Sequence, residues 1–109
     1  MVSESIVQKQ VEAYNNRDVN QFLSYYSQTI TIYNHPDELL VSGLDQMKQR
    51  YGSFFEQNPE LHCEIVNRIV IGPYVIDYEK VTGTTEKSVL EAVAIYRVEA
   101  GLIQQVYFL

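Results

Sequence analysis

The sequence predicts one α+β domain spanning residues 1–109, in which three N-terminal helices pack on a strongly curved antiparallel sheet. Three observations lead there. Apolar residues recur at helical spacing, about every 3.6 positions, up to Pro59 and alternate with a period of about 2 beyond it. Turn signals cut the second region into four segments of strand length. A chain of 109 residues, 46% hydrophobic and 20% charged, has material for one ordinary core and no room for a second domain.

From Ser3 to Tyr14 the apolar Ile6, Val7, Val11 and Tyr14 share one helical stripe, with Gln8, Lys9, Glu12 and Asn15 opposite. Asn15-Asn16-Arg17-Asp18 ends this helix. Asp18 with Gln21 three residues later forms a capping-box-like start for a second helix carrying Val19, Phe22, Leu23 and Tyr26. Thr29 to Asn34 alternates and is rich in β-branched residues, which predicts a short strand closed by His35-Pro36-Asp37, with a loop after it. Ser42, with Asp45 three residues on, signals a third helix through Gln57, whose apolar face carries Leu44, Met47, Tyr51, Phe54 and Phe55; Asn58-Pro59 stops it. Four strands follow as a meander: Leu61–Ile71, Tyr74–Thr82, Val89–Val98 and Leu102–Leu109. Several are apolar on both faces, so both faces are expected to be covered, one by the helices and the other by a second copy of the chain.

The composition excludes several function classes. Eight basic against fourteen acidic side chains give a net charge of −6, unsuited to phosphate backbones and anionic lipid, so neither nucleic acid nor a membrane is an expected partner. No apolar run approaches the ~18 residues of a membrane span. The single cysteine, Cys63, has no disulfide partner, no Cys/His cluster suits a metal, and no cofactor motif is present: GxGxxG, a Walker loop, a nucleophile elbow and HExxH are all absent. The start, Met1-Val2-Ser3-Glu4, lacks the pattern of a signal peptide, which makes a cytoplasmic location the expectation.

Asn15-Asn16-Arg17-Asp18-Val19 at the helix corner, Thr29-Ile30-Thr31-Ile32-Tyr33 after it, Ser42-Gly43 opening the third helix, Gly72-Pro73-Tyr74-Val75-Ile76 at a hairpin, and Ala94-Ile95-Tyr96-Arg97-Val98 with Gly101 occur in an order that resembles the nuclear transport factor 2-like superfamily. That superfamily includes SnoaL-like polyketide cyclases and ketosteroid isomerases. The likeness spans nearly the whole chain and implies a cone-shaped, cystatin-like fold with an internal pocket for a small, largely apolar molecule. With the strands apolar on both faces, a homodimer through the convex sheet face is expected. Family isomerases use a general-base Asp, with a Tyr and a protonated Asp as oxyanion hole. Carried onto this chain, those positions fall on Asn34, Gln10 and near Ala94, and none matches. An amide does not abstract a carbon-bound proton near neutral pH and alanine donates no hydrogen bond, so ordinary ketosteroid isomerase chemistry is disfavoured.

The candidate catalytic residues are Asp77 and Glu79, which as i and i+2 lie on one face of a strand about 7 Å apart. Facing the pocket, one would act as acid or base with a raised pKa; on a rim face, both would pair with Arg68 or Arg97. The candidate ligand-binding residues are Gln10, Tyr14, Asn34, Tyr51, Phe54, Phe55 and Tyr96, aromatic walls with two polar anchors. His35 beside Pro36 reads as a polar loop residue, His62 is too isolated for metal binding, and Cys63 reads as a small packing residue. Two functions remain open: a cofactor-independent enzyme of isomerase or cyclase type, and a non-catalytic ligand-binding or dimeric assembly module.

Overall fold

The computed structural model describes residues 2–86 and 88–109. The chain runs α1 (Val2–Asn15), α2 (Val19–Leu23), β1 (Tyr26–Asn34), β2 (Glu38–Ser42), α3 (Leu44–Gln57), β3 (His62–Ile71), β4 (Tyr74–Thr82), β5 (Val89–Glu99) and β6 (Leu102–Phe108). The six strands form one sheet in the order β2-β1-β6-β5-β4-β3. The expected meander β3-β4-β5-β6 is there, antiparallel throughout. All three helices cover one face: α1 lies over β3, β4, β5 and β6, and α3 over β1 and β2.

The sheet differs from the expectation at its far edge. Tyr26 does not continue α2, which stops at Leu23; it opens a nine-residue β1 that pairs parallel with β6, so the sheet is mixed. Residues 38–42, expected as loop, form β2 against β1. Ser42 therefore ends a strand and does not cap α3. Gly43 holds the cap position at φ 90°, and the Ser42 N–H donates to Gln46 Oε1 at 2.8 Å. Asp18 caps α2 as its spacing predicts, accepting from Gln21 N at 3.1 Å.

The helix corner is tied to the sheet by its polar residues. Arg17 adopts a positive φ of 52° and donates to the Leu61 carbonyl at 2.7 Å, while the Asn15 side chain accepts from Cys63 N at 2.7 Å and donates to Cys63 O at 3.0 Å. These bonds fix the start of β3 beneath the end of α1. Gly83 closes the same end: at φ 79° it passes so near residue 60 that a Cβ would lie 1.9 Å from the Glu60 carbonyl oxygen, so only glycine fits. The core between the layers is built from Val7, Phe22, Ile30, Ile32, Met47, Leu61, Val75, Ile103 and Val106, all buried.

Candidate functional site

The helices do not seal the sheet completely; a cavity of about 590 Å³ remains between them. A volume of that order suits a small organic molecule. Its inner wall is made of Gln10, Val11 and Tyr14 from α1, Phe22 from α2, Tyr26 and Ile32 from β1, and Cys63, Glu79 and Tyr96 from the meander. Leu40, Arg50, Phe54, Leu90 and Phe108, all at least partly exposed, contribute to the rest, with Asn34 and Tyr51.

Strand alternation delivers Glu79 to this space. In β4 the inward set is Val75, Asp77, Glu79 and Val81, all buried, and the outward set is Tyr74, Ile76, Tyr78, Lys80 and Thr82. Both candidate carboxylates thus turn toward the helices, but their surroundings separate them. Asp77, 0% exposed, sits opposite Arg68 and is held bidentately by Nε at 2.7 Å and Nη2 at 2.9 Å. Arg68 also donates to Gln8 Oε1 on α1 at 2.9 Å. Asp77 is spent on this buried ion pair and does not line the cavity. The Arg68 pairing considered for a rim face is made inside the molecule, whereas Arg97 bonds Gln105 and Glu99.

Glu79, 7% exposed, lines the cavity, and among the described residues it has no ion-pair partner. Among the described residues its hydrogen bond is from Cys63 Sγ–H to Oε2 at 3.1 Å. Burial raises the Glu79 pKa from 4.5 to about 7; the Cys63 hydrogen bond and the Arg68 charge offset part of the rise, and the Asp77 charge adds to it. Burial, followed by the Glu79 charge, pushes the Cys63 thiol well up, so it stays a neutral donor. Cys63 is thus more than the packing residue its sequence context implies, and Asn15 clamps its backbone on both sides.

Four tyrosines surround this pair. Burial, reinforced by the Glu79 charge, holds Tyr14, Tyr26 and Tyr96 above the usual phenol range; Tyr51 is pushed up to about 12, with Arg50 pulling the other way. All four remain protonated donors near neutral pH. Tyr26 donates to Gln10 Oε1 at 2.7 Å, and Gln10 Nε2 donates to the Tyr96 hydroxyl oxygen at 3.2 Å. Gln10, one of the two expected polar anchors, therefore connects two phenols. Tyr96 accepts one bond, and no described residue accepts its proton, which leaves it available to a ligand. Asn34 is exposed and donates to Glu38 Oε1 at 2.8 Å.

Of the other expected residues, Tyr14, Tyr51, Phe54 and Tyr96 line the cavity, whereas Phe55 lies behind that wall. It packs edge-on against Tyr14 at 5.2 Å and Phe22 at 5.3 Å, because position 55 falls a further 100° round the helix, beneath α2. Sequence reasoning missed Tyr26, Cys63 and Arg50. Tyr26 was assigned to the wrong element. Cys63 and Glu79 meet only because the β3–β4 register pairs Cys63 with Val81 and Ile65 with Glu79, which no local pattern reveals. His35 and His62 are exposed and do not line the cavity. Among the described residues no group of three or more His, Cys, Asp or Glu side chains is disposed to hold a metal, and no helix is long and apolar enough to cross a membrane.

A family model of the SnoaL-like domain matches residues 7–106. An uncharacterized cystatin-fold protein from Novosphingobium aromaticivorans superposes with a TM-score of 0.90 at 25% identity, covering 100% of this chain and 98% of the other. A candidate polyketide cyclase from Sinorhizobium meliloti gives a TM-score of 0.81 at 13% identity, with 96% and 94% covered. A candidate ketosteroid isomerase from Kribbella flavida gives 0.83 at 14% identity, with 98% and 76% covered. At such identities the last two speak for the fold alone. No curated protein matches.

Proposed function

The chain belongs to the SnoaL-like domain family, and from that premise we propose that it is a cofactor-independent proton-transfer enzyme of the isomerase or cyclase type, acting on a small, largely apolar carbonyl compound. The observation that carries this reading is Glu79: a buried carboxylate with a pKa raised to about 7, set in a cavity beside phenols that stay protonated. A general base works best when its pKa lies near the operating pH. In the proposed step Glu79 takes the proton from the carbon next to the carbonyl, and the C–H electron pair moves into the enolate. Tyr96, whose proton has no acceptor among the described residues, donates to the developing oxyanion. Where a β,γ double bond extends the enolate to a dienolate, protonated Glu79 returns the proton at the γ-carbon and the double bond moves into conjugation, which is isomerisation. Alternatively the enolate carbon attacks a second carbonyl of the same molecule and closes a ring, and the new alkoxide takes up the proton. Asp77, closed in its ion pair, takes no part.

This chemistry does not use the positions at which family isomerases carry their acids and bases; Asn34, Gln10 and Ala94 remain unsuited to those roles. The test is exchange of α-protons of 2-tetralone in D2O, followed by proton NMR. The wild-type protein should accelerate exchange and Glu79→Gln should return it to the buffer rate. Equal exchange with both proteins would remove Glu79 as base.

A second reading, assembly of two copies, has its own support. On the sheet face away from the helices Ile69 is 58% and Ile71 65% exposed, and Tyr74 lies across from Ile71. This apolar strip is the surface on which we propose homodimerisation. It is compatible with the enzymatic reading, since the cavity opens on the other side of the sheet.

A further inference from the structure

The cavity is not uniformly apolar outside its Glu79 end. Among the described residues Arg50 is the one cation in its lining, and it is exposed. It makes no hydrogen bond or ion pair with any described residue. The sequence explains why. Its helical neighbours one turn away are Gln46 and Phe54 at i±4 and Met47 and Ser53 at i±3, so no carboxylate of α3 reaches it. Gln46 is itself occupied with Ser42 N. Two acidic residues are also engaged elsewhere: Glu91, which lines the same cavity, accepts from the Tyr78 hydroxyl, and Glu38 accepts from the lining residue Asn34. Lys9, Arg17, Lys48 and Lys80 also have no carboxylate partner among the described residues, so what sets Arg50 apart is its place in the cavity lining.

Its field is directed into the site. Arg50 is the charge that pulls the Tyr51 phenol back toward its ordinary acidity, while the charges acting on Glu79 are those of Asp77 and Arg68. The cation thus acts on Tyr51, its neighbour along α3, whose phenol the Glu79 charge also reaches. The same cavity is lined by apolar and aromatic residues, among them Phe54, Leu90 and Phe108.

We infer that the ligand of this cavity is an apolar acid, with a carboxylate held by the Arg50 guanidinium and a hydrophobic body carrying the reactive carbonyl toward Glu79 and Tyr96. A guanidinium recognises a carboxylate through two parallel charge-assisted hydrogen bonds, which fix direction as well as affinity. Held so, the molecule enters in one orientation, and its charge stays away from Glu79, whose own charge would repel it. The inference rests on the proposed reading of the cavity and deepens it by naming the substrate class.

The test compares 1-naphthaleneacetic acid with 1-naphthaleneacetamide, nearly the same shape with and without the charge, by isothermal titration calorimetry at pH 7 and low salt. The wild-type protein should bind the acid at least about tenfold more tightly than the amide, in line with a charge-assisted contact. Arg50→Gln should bring the two affinities together without weakening the amide, and Arg50→Lys should restore part of the preference. Arg50 makes no hydrogen bond or ion pair with a described residue and is exposed, so these variants should unfold as the wild type does. Equal binding of acid and amide to the wild-type protein would overturn the anion site while leaving the cavity reading intact. A preference that survives Arg50→Gln would overturn it as well. Binding of neither probe would overturn both readings together.

Discussion

Replacing Glu79 by glutamine should stabilise the protein, and by an amount that depends on pH. The carboxylate ionises at 4.5 in the unfolded chain and at about 7 in the fold, chiefly because burial penalises its charged form. At about 1.4 kcal/mol per pH unit, that difference is a penalty of about 3 kcal/mol once the group is ionised in both states. Between pH 4.5 and 7 the folded protein binds the proton that the unfolded chain has lost, so stability falls as pH rises through this window and levels off above it. Glutamine keeps the shape, still accepts from Cys63 Sγ, and carries no charge to desolvate. Urea denaturation of both proteins at half-unit steps from pH 4.5 to 8.5 isolates the effect, because every other titrating group is common to the two. The difference should be small at pH 4.5, grow through the window, and reach about 3 kcal/mol in favour of Glu79→Gln by pH 8. Parallel curves, or a variant less stable than wild type at pH 8, would refute the claim that Glu79 is a desolvated carboxylate without a compensating cation.

Two further outcomes follow from the neighbouring residues. Arg68→Met should cost about 3 kcal/mol or more in urea denaturation at pH 7, because it leaves the fully buried Asp77 without its bidentate partner; adding Asp77→Leu should recover much of that loss, and a cost below about 1 kcal/mol for the single change would contradict a closed ion pair. On the outer sheet face, sedimentation at micromolar concentration should find a dimer for the wild-type protein and a monomer for the Ile69→Lys, Ile71→Lys double variant; a monomeric wild type removes the proposed interface.

The parts of this molecule that the sequence discloses are those in which neighbours along the chain decide the outcome. Helical stripes place α1 and α3, Asp18 and Gln21 place the start of α2, and Gly72-Pro73 and Gly101 bound the hairpins of the meander. What it conceals depends on partners distant along the chain. Tyr26 continues the apolar stripe of α2, yet it is drawn into β1 because β6, nearly eighty residues later, offers a parallel edge. Residues 38–42 lack a run long enough to announce a strand, and become β2 through pairing with β1.

The candidate site divides along the same line. Alternation alone puts Asp77 and Glu79 on one face of β4, and cannot distinguish them. They are separated by what stands opposite on β3. The bulge at Val66 shifts the register by one, setting Arg68 across from Asp77 and Ile65 across from Glu79, with Cys63 diagonal to it. Were the bulge straightened with Val66 taken into the ladder, Asn67 would stand across from Asp77, Arg68 would turn to the outer face, and both carboxylates would be buried without a cation, a cost no fold of this size could easily absorb. The bulge is therefore the feature that lets one carboxylate be neutralised by a fixed charge while the other keeps a pKa near 7, and the chemistry proposed for Glu79 depends on that inequality.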